Sequence, residues 1–265
     1  MKVGFLGAGK MGEAMIAALI SSRVVTGNEM FVCDVSPERR RTLKRRYGIN
    51  TYAKSHFVVD AAEIIFVAVK PQNQAAVLAE ISDEMTANHL VVSIAAGKTI
   101  QSIEKILPRA RVVRVMPNLP CTVGAGVSVF CGGKRVKTAD KKAVKTLLGS
   151  FGSVLEMPES HFDVVTAISG SGPAFFAYVL REFAAQGQKE GLSDAEALQL
   201  AEQTMLGTAK LLITQKIDPA DLIAAVASPQ GTTAAGLAVL DASDVGDTLR
   251  DTIAAASRRS KELSN

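Results

Sequence analysis

The sequence contains no tryptophan, and among its 265 residues it has only three cysteines and three histidines. Cys33, Cys121 and Cys131 are odd in number and lack C-x-x-C spacing, so they indicate neither a disulfide framework nor a zinc site. Aromatic residues make up 5% of the chain, too few for the stacking surface that single-stranded nucleic acid requires. We therefore expect neither a metal nor a nucleic acid among its ligands.

Strong charge of one sign and very long apolar runs are also missing. The net charge is +4, and 30 basic residues are interspersed with 26 acidic ones, which suits an anionic small molecule better than a polyanion. No run approaches transmembrane length, and no signal peptide precedes the first predicted strand. With 48% hydrophobic residues, the chain can bury a core. We expect a soluble, cytoplasmic protein with no membrane partner.

The N-terminal stretch carries the strongest motif. Val3, Phe5 and Leu6 form an apolar run typical of a strand that is buried on both faces of a parallel sheet. The next residues fit G-x-G-x-x-G, and a helical pattern follows at once: Gly7, Ala8, Gly9, Lys10, Met11 and Gly12. Strand, glycine turn and helix in this order are the fingerprint of dinucleotide binding, in which the helix N-terminus receives the phosphates. The sequence therefore predicts a dinucleotide cofactor at residues 7–12.

The residues after the second predicted strand favour two different cofactors. Asp34 follows the glycines by about 20 residues, where an acid usually binds the adenine ribose 2′-OH and favours NAD. Ser36 is predicted to cap the next helix, and Arg39 and Arg40 in its first turn lie where a 2′-phosphate would lie, which favours NADP. The basic run also fits an ordinary solvated helix face. Both cofactors remain open at this point.

Further apolar runs predict strands at 64–69, 90–94 and 111–116, and helical segments separate them. This alternation predicts a Rossmann-like parallel sheet with helices on both faces. Ligands bind such sheets beyond the carboxyl ends of the strands. We therefore place Lys70, the turn at 95–97 and Asn118 on the same rim as the glycine turn.

The pattern changes near residue 157. Two more strands are predicted before it, at 127–130 and 153–156, and only helices follow. We expect an NAD(P)-binding domain at 1–157 and an all-helical domain for substrate binding and dimerisation at 158–265. The helices at 173–213 are apolar on more than one face. Because such helices are normally buried, we expect them to pack against a second subunit.

Several motifs together resemble a known family. They are the GAGKMG turn, Val69-Lys70-Pro71, Met116-Pro117-Asn118-Leu119-Pro120, Ser169-Gly170-Ser171-Gly172-Pro173-Ala174 and Ser228-Pro229-Gln230-Gly231-Thr232-Thr233. With these motifs the whole chain is similar to pyrroline-5-carboxylate reductases, which catalyse the last step of proline biosynthesis. These enzymes reduce the C=N bond of 1-pyrroline-5-carboxylate with hydride from NAD(P)H and release L-proline.

The resemblance implies roles for particular residues. The cofactor would be held by residues 7–12 together with Ser36, Ser55, Val69, Lys70, Pro71, Ala95, Ala96 and Gly97. The substrate would face Glu159, Gly231, Thr232 and Thr233, and the segment opening at Ser228 would present N–H groups to its carboxylate. Thr233, or a water that it orients, would supply the hydrogen bond to the imine nitrogen. The resemblance also implies a swapped homodimer, often assembled into a decamer of five dimers.

The chain departs from the family pattern at three places. The family usually has Gly at Gln230, Thr at Leu119, and Lys-Asp at Ile223-Ala224. The last change removes polar groups near the expected site.

Two alternatives share the same plan. A β-hydroxyacid-type dehydrogenase would require a lysine on the first long helix of the second domain, and that helix offers only Lys189 at its far end. A non-catalytic NAD(P)-sensing protein would have no use for the S-P-Q-G-T-T segment beside the nicotinamide. We therefore expect the reductase, using NADPH with NADH as a possible second cofactor.

Overall fold

The computed structural model describes residues 1–264, which form two compact units. One comprises residues 1–171 together with the end of the chain from 256 onward, and the other comprises residues 172–255. Eight strands lie in the first unit: β1 Val3–Leu6, β2 Met30–Cys33, β3 Asn50–Tyr52, β4 Ile64–Val67, β5 Leu90–Ser93, β6 Arg111–Met116, β7 Gly126–Gly132 and β8 Gly152–Glu156.

The helices, unlike the strands, occur along the whole chain. They are α1 Lys10–Ser21, α2 Pro37–Tyr47, α3 His56–Ala61, α4 Pro71–Glu80, α5 Ile100–Ile106, α6 Thr138–Gly149, α7 Phe162–Val165, α8 Gly172–Lys189, α9 Asp194–Gln215, α10 Pro219–Val226, α11 Thr232–Asp241 and α12 Val245–Ser264. A turn of π-helix, Thr166–Gly170, precedes α8.

The strands form one sheet in the order β3-β2-β1-β4-β5-β6-β7-β8. The first six are parallel, as the sequence pattern predicts, and they place the residues after β1, β2, β4, β5 and β6 on one rim. Strand β7 pairs antiparallel with β6, and β8 runs parallel to β7. The antiparallel pair is a departure from the expected all-parallel sheet, and it follows from the direct connection of β6 to β7 without a crossover helix.

Two apolar cores cover the faces of the sheet. On one face α1 packs Met15, Ile16 and Leu19 against β1, and α6 adds Val144 and Leu147. The other face is covered by α3, α4, α5 and α7. In the centre Phe5 of β1 is directly opposite Phe66 of β4, with ring centroids 4.7 Å apart and nearly parallel planes. These cores fix the rim that carries the glycine turn.

Two elements differ from the sequence-based description of the sheet. Strand β3 and helix α3 were not predicted, because β3 is short and half-buried and α3 has only six residues. Both bring their ends to the rim. Phe162 and Val165 of α7 belong to the second core of this compact unit.

Helices α9 and α10 of the helical unit have capped starts. Ser193 and Glu196 form a capping box at the start of α9, and Asp218 caps α10 by accepting the N–H of Ala220. Large apolar side chains on α8 remain exposed, with Phe176 at 63% and Phe183 at 69%. Part of the apolar surface of α8 is therefore left exposed within its own unit.

One helical stretch, Glu159–Lys189, is long and apolar enough to cross a membrane by length and composition, with a mean hydropathy of 1.2. This corrects the expectation that no run approaches transmembrane length. The stretch joins several short elements to α8, so its length was not evident from one apolar run. Core helices of soluble proteins have the same composition.

Candidate functional site

The glycine turn has the geometry that its sequence requires. Gly7 has φ +87°, and a Cβ there would lie 2.8 Å from Cγ1 of Val69. A Cβ at Gly12 would lie 2.9 Å from the carbonyl oxygen of Gly7, so only glycine permits this close packing of helix on strand. A Cβ at Gly9 would meet no atom within 4 Å. Gly9 therefore borders the open space into which a pyrophosphate would fit.

Helix α1 presents its N-terminus to this space. Its N-cap is Gly9, and no side chain in the described part of the chain caps it. The first intrahelical bond is donated by Glu13 N–H to the carbonyl of Gly9. The earlier N–H groups, those of Lys10, Met11 and Gly12, are then available to an anion at the positive end of the helix dipole. The turn and the helix start therefore fit a dinucleotide phosphate.

Asp34 at the end of β2 binds backbone amides. Its Oδ2 accepts the N–H of Ala8 over 3.0 Å, and its Oδ1 accepts the N–H of Ser36 over 2.9 Å. Ser36 caps α2, as predicted, because its hydroxyl accepts the N–H of Arg39. Asp34 thus joins the glycine turn to the loop that starts α2.

The two arginines in the first turn of α2 have different hydrogen-bond partners. Arg39 donates from Nε to the carbonyl of Ala8 and from Nη2 to Oε2 of Glu13 over 2.7 Å. Arg40 donates from Nη1 to the carbonyls of Asp34 and Val35. Arg39 is therefore engaged behind the glycine turn, whereas Arg40 lies on backbone that lines the neighbouring cleft.

A cleft of about 770 Å³ opens beside the turn. Of the residues predicted for the cofactor, it is lined by Gly7, Ala8, Gly9, Asp34, Ser55, Val69 and Lys70. Sequence reasoning missed other lining residues, namely Cys33, Val35, Lys54, His56, Asn73, Val77, Glu80 and Ile81. The signal for Lys54 and His56 was weak because they lie at the start of the unpredicted α3. Ser36 and Arg39 line a smaller cavity of about 220 Å³ instead.

Cys33 lies at the wall of this cleft, with Sγ 3.9 Å from the hydroxyl of Ser55. Burial raises the pKa of the Cys33 thiol, and it raises that of Cys131 to about 12. Both thiols are therefore protonated at neutral pH and are poor nucleophiles.

The other predicted rim residues follow β4, β5 and β6. Pro71 is the first residue of α4, and Gly97, with φ +72°, closes the turn that contains Ala95 and Ala96. Asn118 is buried, and its Oδ1 accepts the N–H of Val127 over 2.9 Å. Within the described residues 1–264, the cleft is not lined by Pro71, Ala95, Ala96, Gly97 or Asn118. Their contacts to a cofactor are therefore part of the proposal below.

A buried polar pair supports the turn at 95–97, and sequence reasoning missed it. Ser93, the last residue of β5, donates its hydroxyl to Oε1 of Gln74 over 3.0 Å, and its oxygen accepts the N–H of Ala95. Both side chains are buried. The pair therefore connects α4 to the turn after β5.

Glu159 lies in the first unit and lines a second cavity of about 910 Å³. Its Oε1 accepts the N–H of Ile100, the first residue of α5, and a bond from Nη1 of Arg114. Nearby, Gly170 of the Ser169–Ala174 motif lies against the side chain of Met116 at the end of β6.

The S-P-Q-G-T-T segment in the helical unit forms a tight turn followed by α11. Gly231 N–H donates to the carbonyl of Ser228 over 3.0 Å, with Pro229 second and Gln230 third at φ +59°. This pattern is that of a type II turn, whose third position favours glycine. The glycine usual in the family at Gln230 therefore has a conformational reason. Gly231 is the N-cap of α11, and within the described residues 1–264 no side chain caps this helix by a hydrogen bond. The N–H groups of Thr232 and Thr233 thus lie at an open helix start.

A mostly parallel sheet whose first strand leads through a glycine turn into an uncapped helix defines a Rossmann-type dinucleotide-binding protein. Residues 2–97 match the family model described as NADP oxidoreductase, coenzyme F420-dependent, and residues 159–263 match the model for pyrroline-5-carboxylate reductase dimerisation. The chain belongs to the pyrroline-5-carboxylate reductase family.

Relatives cover the chain from end to end. It is 38% identical to the pyrroline-5-carboxylate reductase of Methanosarcina acetivorans, over 99% of this chain and 97% of that protein. A Plasmodium falciparum pyrroline carboxylate reductase with NADP bound is similar in structure, with TM-score 0.89, 30% identity and coverage of 100% and 98% of the two chains. The Coxiella burnetii reductase has TM-score 0.95 and 29% identity, with the same coverage.

Proposed function

We propose that this chain reduces the C=N bond of 1-pyrroline-5-carboxylate to give L-proline, with NADPH as the hydride donor and NADH as a second donor. The observation that carries the proposal is the full-length similarity to reductases of this name, combined with a glycine turn that fits a dinucleotide. The bound nicotinamide would supply the hydride. The protein's own residues would bind, orient and shield the reactants.

At the cofactor end, the open N-terminus of α1 would hold the pyrophosphate. Ala8 and Gly9 would allow its close approach, and Lys10, Met11 and Gly12 would donate N–H groups. Ser36 and Ser55 would lie beside the adenine ribose, and Asp34 and Arg39, which bond to Ala8, would support that side of the site. The strand ends would orient the nicotinamide through Val69, Lys70, Pro71, Ala95, Ala96, Gly97 and Asn118. The cleft lined by Gly7, Ala8 and Gly9 supports this placement of the pyrophosphate.

At the substrate end, the open N-terminus of α11 would receive the carboxylate of the imine. Ser228 and Gly231 form the turn that exposes this helix start, which supports the assignment. Thr232 and Thr233 would donate backbone N–H groups, and the hydroxyl of Thr233 or a water would donate to the imine nitrogen as it gains its proton. By resemblance to the family, Glu159 is a further candidate for contact with the substrate.

The proposal includes a homodimer formed through the helical domain, which we place at 158–265 after a cofactor domain at 1–157. The exposed side chains of α8 and α9, including Phe183 and Leu200, provide the apolar surface that a subunit would cover. In the apolar stretch Glu159–Lys189, Phe162 and Val165 are buried in the core of the sheet, and we propose that the exposed apolar side chains of its α8 part lie at an interface between subunits and not in a membrane. We further propose a cytoplasmic enzyme whose dimers assemble five at a time into a decamer.

The deciding experiment follows NADPH oxidation at 340 nm with 1-pyrroline-5-carboxylate, and proline is identified as the product. In parallel, NADP⁺ reduction is measured with 3-hydroxyacids. Imine-dependent oxidation supports the reductase. Turnover of 3-hydroxyacids alone would indicate a β-hydroxyacid-type dehydrogenase, and cofactor binding without turnover of either would indicate a sensor.

A further inference from the structure

Ala8 is held from both sides by side chains of the β2–α2 region. Its N–H donates to Oδ2 of Asp34 over 3.0 Å, and its carbonyl accepts from Nε of Arg39. Ala8 is completely buried and lies between Gly7 and Gly9. Glycine has more backbone freedom than any other residue, so a turn with Gly7 and Gly9 on either side of Ala8 needs other contacts to fix its conformation. The two side-chain bonds restrict the peptides on either side of Ala8.

Both side chains are themselves anchored. The second oxygen of Asp34 accepts the N–H of Ser36, which fixes the carboxylate against the start of α2. Nη2 of Arg39 forms an ion pair with Glu13 on α1, and Glu13 also accepts from Arg46 and Tyr47. Asp34 and Arg39 therefore connect the glycine turn both to α1 and to α2.

We infer that Asp34 and Arg39 are positioning residues that hold the phosphate-binding turn in its binding conformation, and that neither selects between NADPH and NADH. The inference rests on the proposed nicotinamide cofactor but not on the imine substrate. Asp34 in this arrangement has its two oxygens on backbone amides, and Arg39 has its guanidinium on a carbonyl and a carboxylate.

The inference differs measurably from the motif-based interpretation. If Asp34 binds the ribose 2′-OH and repels a 2′-phosphate, its removal must strengthen NADPH binding and weaken NADH binding. If Arg39 binds the phosphate, its removal must weaken NADPH binding alone. If both hold the turn, each removal weakens both cofactors by the same factor, because the pyrophosphate is common to them.

The test measures Kd for NADPH and for NADH without substrate, from the rise in nicotinamide fluorescence on binding, which the tryptophan-free chain does not obscure. For Asp34→Ala and for Arg39→Gln we expect both Kd values to rise on the order of tenfold, the equivalent of about one charge-assisted hydrogen bond, with their ratio unchanged. Arg41→Gln removes the same charge from an exposed position of α2 and should leave both Kd values unchanged.

A changed ratio of the two Kd values in either variant would overturn the inference, and so would unchanged Kd values. If Asp34→Ala does not fold, Asp34→Asn replaces it. Its single amide oxygen can accept only one of the two N–H groups, so a smaller but equal loss for both cofactors is expected. Because no imine is present, failure of this test is distinct from failure of the proposed reductase activity.

Discussion

Oε1 of Glu159 lies 3.0 Å from Nη1 of Arg114 and also accepts the N–H of Ile100 over 2.8 Å. The Arg114 side chain is only 5% exposed, and its guanidinium lies over the ring of Phe162. Glu159 therefore holds the start of α5 and neutralises a buried cation. The resemblance to the family assigned it to the substrate, and the two roles have different experimental consequences.

Glu159→Ala should lower the free energy of unfolding by about 1–3 kcal/mol, because it leaves a buried arginine without its acceptor. Urea denaturation measures this. Glu156→Ala is the matched control, since Glu156 has the same 33% side-chain exposure but pairs with exposed Lys141 and Lys145. It should cost less than about 1 kcal/mol. Unchanged stability with a large loss of kcat/KM would instead place Glu159 on the substrate.

Ser93→Ala should destabilise the turn after β5, because it leaves Oε1 of the buried Gln74 without its donor, at a cost of about 1–3 kcal/mol. The double variant Ser93→Ala/Gln74→Met removes both polar groups. No buried side-chain group is then left unpaired, so the double variant should recover part of the loss, although the N–H of Ala95 still lacks the Ser93 oxygen. A double variant that is less stable than Ser93→Ala would contradict this account.

NADPH should be used at least as well as NADH, because Asp34 is occupied by backbone amides and Arg40 lies on the carbonyls of Asp34 and Val35 beside the cleft. Steady-state kcat/KM with both cofactors tests this. A preference for NADH above roughly tenfold would show that Asp34 governs the choice. Arg40→Gln should reduce kcat/KM for NADPH more than for NADH, since a charge-assisted bond to phosphate is stronger than a neutral one.

Phe183→Lys should convert the dimer into a monomer, because it places a charge within the proposed subunit interface at a side chain that is 69% exposed in the single chain. Sedimentation velocity at micromolar concentration measures the change. Leu155→Lys on β8 is the control, as it places the same charge at another exposed apolar side chain, 46% exposed, on the sheet. An active, folded wild-type monomer would refute the dimer altogether.

Thr233→Ala should lower kcat/KM for 1-pyrroline-5-carboxylate by about tenfold to a hundredfold, the loss of one hydrogen bond to a charged group of about 1.5–3 kcal/mol. Cofactor Kd should be nearly unchanged. Thr233→Ser keeps the hydroxyl and should retain most activity. A much larger loss would make Thr233 the obligatory proton donor, and unchanged kinetics would leave the hydroxyl no role at the substrate.

The sequence by itself determined the sheet and the position of the glycine turn. Strand β6 has the predicted bounds, because an apolar run is a property of neighbouring residues. The glycine turn is equally local, since Gly7 is required by its φ and Gly12 by its close contact with the carbonyl of Gly7, while Gly9 borders open space. Short elements such as β3 carried too few residues for a periodic signal.

Only the tertiary structure decided what the polar residues of the rim do. Asp34 and Arg39 fit a ribose and a phosphate by motif, but each binds Ala8, 26 and 31 residues away. Glu159 meets Ile100 at a separation of 59 residues. A carboxylate or a guanidinium binds whichever partner folding brings within hydrogen-bond distance. The spacing of residues in the sequence does not specify the distance between residues that follow different strands of the sheet.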